Sequence, residues 1–229
     1  MGWLYYDYYY LIFVVPALLF AVAMQVKVKS AYSGFSKVRN SKGLTGEQAA
    51  MRVLYHYGIN DVRVESIVGK LSDHYDPRDK VIRLSEGVYG SDSVAAVGIA
   101  CHEAGHAAQH AENYAPIKVR NAILPVCNIG SRIGLPMAIL GYFMGLEPLI
   151  SIGLILYALI AVFQLVTLPV EFNASKRAVE VMEQDGMLYD DELYGAKKVL
   201  SAAALTYVAA LAVTLANLLR FILRLNRNR

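Results

Sequence analysis

The sequence predicts an α+β membrane protein that is mostly helical, with about four transmembrane helices and a small antiparallel sheet beside a polar helix. Hydrophobic residues make up 56% of the 229 residues and charged residues only 18%, whereas soluble domains average about 45–50% and about 25%. Four stretches have the length and low charge of membrane spans, and residues 27–120 carry most of the charge.

Uncharged stretches of about 20 residues predict spanning helices, because a helix rises 1.5 Å per residue and the hydrocarbon core is ~30 Å thick. A further span is predicted at 121–146, although Arg132 interrupts this stretch and Pro125 and Pro136 would kink it. An arginine inside a span is usually either functional or snorkels to the surface. The three clear spans are 8–26, 148–170 and 199–219.

The distribution of Lys and Arg predicts the orientation, because basic residues near span ends favour the cytoplasmic side. With four spans, eleven such residues share one side and four share the other. The polar segment is therefore predicted to be cytoplasmic and both termini to lie outside. The four basic residues near the C-terminus oppose this orientation, and they leave open whether the last helix crosses the membrane fully. The eleven are Lys27, Lys29, Lys37, Arg39, Lys42, Lys118, Arg120, Lys176, Arg177, Lys197 and Lys198, and the four are Arg220, Arg224, Arg227 and Arg229.

The polar segment 27–120 is predicted to be the water-facing part of a single domain covering 1–229. Thr45 with Gln48 three residues later has the spacing of a capping box, which predicts a helix to about residue 57. A second helix is predicted from Val94 to about Glu112, after the N-cap candidates at 91–93.

Two strands are predicted between these helices. Residues 62–67 alternate between apolar and polar with period two, which predicts a strand, and residues 80–84 are interpreted as a second strand. Residues 73–79 between them are rich in Asp and contain a proline, which indicates a turn. We therefore expect a small antiparallel sheet.

The second helix carries His102, Glu103 and His106 in the pattern H-E-x-x-H. Spacing i, i+4 places both imidazoles on one helical face, about 6 Å apart along the axis. Both can then bind one zinc ion at about 2.0–2.1 Å. Glu103 is one residue on from His102, so that its carboxylate can reach a metal-bound water without being a ligand.

Geometry sorts the candidates for a third ligand. His110 lies about 12 Å from His102 along the axis, so it cannot join both other histidines and is a polar helix residue or a group behind the ligands. The metzincin pattern needs Gly at 109 and His at 112, where this chain has Gln109 and Glu112. Cys101 points about 100° away from His102, and His74 lies in the predicted turn.

Glu171 remains as a candidate, because it directly follows the uncharged stretch 148–170 and begins the polar segment 171–198. A Glu at the end of a span is usually a solvated residue. Here the predicted topology places it on the same side of the membrane as the helix with His102 and His106, so it could complete a site of two His and one Glu.

Residues 102–112 and 169–175 resemble the two signatures of the YugP-like neutral zinc metallopeptidases, a bacterial family related in pattern to the HtpX and CAAX-prenyl-protease enzymes. The resemblance implies His102, His106 and Glu171 as zinc ligands, Glu103 as catalytic base, and a multi-pass protein of the bacterial inner membrane. The HtpX-type pattern has an Asp four residues after the ligand Glu, where this chain has Ser175.

Ser175 shares a helical face with Glu171, because the two are spaced i, i+4. A ligand imidazole normally donates its other N–H to a carboxylate, a carbonyl or water. We expect a serine to be too short for direct contact, so that it bonds through water, yields the role to another group or is only a packing residue. Asn173 is expected to point elsewhere.

The resulting hypothesis is a zinc endopeptidase of the gluzincin type, with one Zn²⁺ per chain, that hydrolyses membrane-associated or misfolded proteins. Its partners would be a protein or peptide substrate and the lipid bilayer, with no nucleic acid. The alternative is a non-catalytic membrane scaffold with a structural zinc, which normally has four protein ligands and prefers Cys. The chain has only Cys101 and Cys127, which argues against that alternative.

Overall fold

The computed structural model describes residues 7–69 and 72–227. The remaining residues of the predicted domain, among them Arg229 from the orientation count, lie outside this part of the chain. The elements in order are α1 Tyr10–Phe35, α2 Gly46–His56, β1 Arg63–Ile67, β2 His74–Asp76, β3 Val81–Ser85, α3 Glu86–Tyr89, α4 Val94–Ala111, α5 Ala115–Met144, α6 Glu147–Gln184 and α7 Asp190–Arg227.

The described residues form two compact units. The membrane unit, as we call it, consists of the described residues of 1–25, 119–168 and 206–229, and the polar unit consists of those of 26–118 and 169–205. Helices α1, α5, α6 and α7 each contribute residues to both units. The prediction of a single domain over 1–229 stays a prediction.

Four helices of the described chain are long and apolar enough to cross a membrane, and they are α1, α5, α6 and α7. They correspond to the four predicted spans, so the predicted class of a mostly helical membrane protein is confirmed. Pro125 and Pro136 lie inside α5 without ending it. Large apolar side chains point outward along these helices, such as Leu19 and Ile155, each 65% exposed. Such surfaces suit lipid rather than water.

Small residues allow α5 and α6 to approach closely in the membrane unit. Gly130, Gly134 and Ala138 recur every four residues on α5 and face α6. A Cβ at Gly134 would lie 2.8 Å from the backbone nitrogen of Tyr157. This spacing is the small-xxx-small pattern by which membrane helices pack, since lipid supplies no hydrophobic driving force between them.

The sheet of the polar unit is mixed, with strand order β1-β3-β2. Strands β1 and β3 are the two predicted strands, but they pair in parallel, so the expected antiparallel pairing between them is wrong. The reason is an additional strand, His74–Asp76, which pairs antiparallel to β3 and whose Tyr75 packs partly buried against the core. The chain reverses twice between β1 and β3, which restores its direction.

The turn chemistry predicted for residues 73–79 is confined to the end of that segment. The Asp76 carboxylate accepts a hydrogen bond from the backbone N–H of Arg78 at 2.9 Å, and Lys80 has a φ of 51°. An Asp that bonds the backbone two residues on stabilises such a turn. The turn therefore connects β2 to β3 instead of β1 to β3.

Both predicted helices of the polar unit are confirmed. Thr45 and Gln48 form the predicted capping box of α2. The side chain of Ser93 accepts a hydrogen bond from the N–H of Ala96 and begins α4. These two helices pack together in a core that also takes buried residues of α6 and α7, such as Met182 and Leu200.

Helix α4 meets α6 at Gly105, between Glu103 and His106. A Cβ at this position would lie 2.7 Å from the carbonyl oxygen of Ala174 and 3.3 Å from its Cα. Ala174 and the neighbouring Ala178 are themselves fully buried. Position 105 therefore has room only for the hydrogen atom of a glycine. The crossing brings the residues that follow Glu171 on α6 into contact with α4, which carries the two histidines.

We expect Gly105→Ala to destabilise the protein by about 1–3 kcal/mol, as overpacking of a tight contact does, because the added methyl meets backbone. Thermal unfolding in detergent measures this, at roughly 2–4 °C per kcal/mol for a chain of this size. Gly34→Ala is the matched control, since Gly34 lies exposed in α1 with nothing within 4 Å of an added Cβ. Equal unfolding temperatures for the two variants would contradict the tight crossing.

Candidate metal centre and active site

Helix α4 brings His102 and His106 together on one face, as the i, i+4 spacing predicts. The centroids of their rings are 4.7 Å apart, and the ring planes are inclined by 80°. The side chains are only 16% and 12% exposed. Both imidazoles are therefore held in one partly closed site, with their Nε2 atoms towards α6.

Glu171 on α6 faces the two imidazoles. Its Oε2 lies 3.4 Å from Nε2 of His102 and 3.7 Å from Nε2 of His106. The Glu171 side chain is 6% exposed. One potential ligand atom from each of the three residues lies within 4.8 Å of the others. The structure therefore brings the three predicted zinc ligands together.

The chemistry of these donors fits zinc. Two ligands at about 2.0–2.1 Å from a tetrahedral zinc ion lie roughly 3.3 Å from each other, which is close to the observed separations of 3.4 Å and 3.7 Å. Two imidazoles and a carboxylate are the protein ligands of a known class of catalytic zinc site. Such a site keeps its fourth position for water or substrate.

Gln109 holds His106 from behind, a contact that the sequence reasoning missed. Oε1 of Gln109 lies 3.0 Å from Nδ1 of His106. The Gln109 side chain is fully buried, and its Nε2 donates to the Val170 carbonyl at 2.8 Å and to Oδ1 of Asn173 at 2.9 Å. The sequence could have indicated this contact, because Gln109 is three residues after His106 and residues spaced i, i+3 are neighbours on a helix.

Ser175 contacts His102 directly. Its hydroxyl lies 3.1 Å from Nδ1 of the ring, so the expectation that a serine is too short for direct contact is wrong. The helices α4 and α6 approach closely at Gly105, and this explains why the short side chain of Ser175 reaches His102. Asn173 accepts hydrogen bonds from Gln109 and Arg177, so its link to the imidazole of His106 runs through Gln109.

Glu103 is partly buried on α4, next to His102. Burial by itself lowers the pKa of His106, but hydrogen bonding to Glu171 and the negative charges of Glu103 and Glu171 outweigh it. The pKa of His106 therefore lies above its ordinary value. The site is electronegative, which suits a divalent cation.

The other candidates lie apart from this cluster. His110 packs edge-on against Tyr75 at 5.6 Å and lines a cavity of about 330 Å³. Nδ1 of His74 is 2.8 Å from the Ser72 carbonyl, and the residue is exposed. Cys101 is fully buried, and this burial raises the pKa of its thiol. His110 as a group behind the ligands stays a prediction.

Comparisons with known proteins agree with this site. The sequence model of the family described as "Putative neutral zinc metallopeptidase" matches residues 10–226. The chain is 46% identical over 209 residues to the "Putative membrane protease YugP" of Bacillus subtilis (strain 168), which covers 91% of this chain and 93% of that protein. No solved structure matches the chain significantly. The chain therefore belongs to this family of neutral zinc metallopeptidases.

Proposed function

We propose that this metallopeptidase is a membrane-embedded, zinc-dependent endopeptidase that hydrolyses membrane-associated or misfolded proteins. The observation that supports this proposal best is the cluster of His102, His106 and Glu171, with Glu103 on the same helix as the two histidines. The cluster offers three protein ligands within the described residues, which suits one catalytic zinc per chain better than a structural zinc with four.

Each residue has a role in this proposal. His102, His106 and Glu171 would hold the zinc, and the bound metal would supply a water of lowered pKa and polarise the scissile carbonyl. Glu103 would accept a proton from the attacking water and later give it to the leaving amine, as a general base and then a general acid. Ser175 and Gln109 orient the two imidazoles from behind, because each contacts the Nδ1 atom that faces away from Glu171.

The site also suggests where the substrates are. The uncharged stretch 148–170 ends directly before Glu171 in the chain, so we place the zinc ligands near the end of a membrane span. The relative from Bacillus subtilis is named a membrane protease. Substrates in or near the bilayer therefore suit the proposal, and the excess of Lys and Arg supports a site on the cytoplasmic face of the inner membrane.

The metal assignment predicts that Glu171→Ala loses bound zinc. Removal of one of three ligands leaves two imidazoles, which do not hold a catalytic zinc tightly. Metal analysis of protein purified in detergent should give about one zinc per chain for wild type and a small fraction for the variant. Glu180→Ala is the control, since Glu180 lies two and a half turns further along α6 and pairs with Lys176 at the surface. Full zinc content in Glu171→Ala would exclude Glu171 as a ligand.

The role of Glu103 predicts a separation of binding from catalysis. Glu103→Gln keeps the shape of the side chain and loses the base, so zinc content should stay near wild type. The rate of casein cleavage should fall by about 10²–10⁴-fold, the usual contribution of a general base. Cleavage at the wild-type rate would contradict the mechanism.

The proposed orientation predicts that Lys37, exposed after α1, faces the cytoplasm. After the buried Cys101 and Cys127 are replaced, a cysteine at Lys37 should resist a membrane-impermeant thiol reagent in intact cells and react after lysis. A cysteine at Leu146, exposed between α5 and α6, should react without lysis, because that connection lies on the opposite side. The reverse labelling pattern would place the site outside.

A further inference from the structure

A line of hydrogen bonds connects Arg177 to the imidazole of His106. Nε of Arg177 donates to Oδ1 of Asn173 at 2.8 Å. Nε2 of Gln109 donates to the same Oδ1 at 2.9 Å. Oε1 of Gln109 lies 3.0 Å from Nδ1 of His106. We call these four residues the relay, and all of them belong to the polar unit.

The chemistry of the two ends fixes the direction of every bond in the relay. A guanidinium can only donate, so the Asn173 atom that it contacts must be the amide oxygen. A backbone carbonyl can only accept, so the Gln109 atom at Val170 must be the amide nitrogen. These two constraints agree, and they leave the Gln109 oxygen as the atom that faces His106.

Nδ1 of His106 must then carry a hydrogen, because it faces an acceptor. A neutral imidazole has one N–H and one lone pair, so the lone pair is on Nε2, the atom 3.7 Å from Glu171. His102 differs, because the hydroxyl of Ser175 can donate or accept. The relay therefore fixes the tautomer of one ligand and leaves the other adjustable.

We propose that Arg177 is a positioning residue that acts through Asn173 and, together with the Val170 carbonyl, holds Gln109 in the orientation that sets the tautomer of His106 for metal binding. The proposal rests on the proposed zinc site. Without Arg177, the amide of Asn173 can turn over and present its nitrogen to Nε2 of Gln109. Two donors then face each other, and Gln109 must either leave its place or turn its own amide, which breaks its bond to Val170.

The surroundings of Arg177 keep it in position for this role. Its side chain is 15% exposed and pairs with Glu112 at 2.6 Å. The guanidinium lies over the rings of Tyr57 and Tyr114, at 5.6 Å and 5.9 Å from their centroids. Such stacking and a charged partner restrict a guanidinium to one orientation.

If Arg177 only stabilised the fold, it would act through its ion pair with Glu112 and not through its hydrogen bond to Asn173. The ion pair with Glu112 ties the end of α4 to α6. Glu112→Gln weakens that pair by removing the charge, but the Gln oxygen can still accept from the guanidinium, so that Arg177 stays in the relay. The electrostatic effect on zinc affinity has the opposite sign to the positioning effect. Loss of the positive charge of Arg177 by itself strengthens the binding of a dication. A weaker zinc affinity in an Arg177 variant therefore reports on positioning.

The test is a zinc titration against a competing chelator, on full-length protein in detergent. We expect Arg177→Met and Asn173→Leu each to weaken zinc binding about 10-fold or more, as loss of a group behind a ligand does. Asn173→Asp keeps an acceptor for both donors and should bind zinc at least as tightly as wild type. Glu112→Gln should stay within about twofold of wild type, a difference below 0.5 kcal/mol. Thermal unfolding of the zinc-free proteins reports separately on stability.

Unchanged zinc affinity in Arg177→Met would overturn the proposal, and so would an equal loss in Glu112→Gln. An Asn173→Asp variant that folds and binds as weakly as Asn173→Leu would also overturn it. These results leave the proposed function intact, because wild type still binds zinc through His102, His106 and Glu171. Failure of wild type to bind zinc would instead refute the proposed function together with this inference.

Discussion

The contact between α4 and α6 at Gly105 and Ala174 is the constraint on which the site depends. The two imidazoles come from one helix and the carboxylate from another, so that their separation is set by how closely the helix backbones approach. Because Gly105 has no side chain, the Ala174 carbonyl oxygen can approach to 2.7 Å from the position that a Cβ would occupy. This approach places Glu171 between the imidazoles and brings the short side chain of Ser175 within 3.1 Å of His102.

The two sides of the metal cluster are organised differently. His106 is held by a buried amide whose orientation is fixed at both ends, by the Val170 carbonyl and through Asn173 by Arg177. His102 is held by a hydroxyl that can rotate. Fixed groups behind a ligand orient the ring and raise metal affinity. Of the two proposed imidazole ligands, His106 is therefore the one whose tautomer is fixed, whereas the hydroxyl of Ser175 accommodates either tautomer of His102.

Local patterns in the sequence predicted a large part of this structure. The spacing of His102 and His106, the capping box of α2 and the apolar spans depend on neighbours along the chain, and the structure has all of them. What the sequence reasoning missed depends on distant neighbours. The parallel pairing of β1 and β3 goes with the unpredicted strand β2 between them in the chain. The contacts of Ser175 and Gln109 follow from a helix crossing between residues more than 60 positions apart in sequence. Its position and the predicted topology made Glu171 a candidate, and the resemblance implied it as a ligand, because position at the end of a span does not by itself distinguish a ligand from a solvated carboxylate.

The most direct measurement of the central claim is zinc K-edge X-ray absorption of the purified protein. If His102, His106 and Glu171 hold the metal, the spectrum shows only nitrogen and oxygen neighbours at about 2.0–2.2 Å, with scattering from two imidazoles. A sulfur neighbour at about 2.3 Å would place the metal on a cysteine, and scattering from more than two imidazoles would require another histidine. Either result would contradict the assignment of the site.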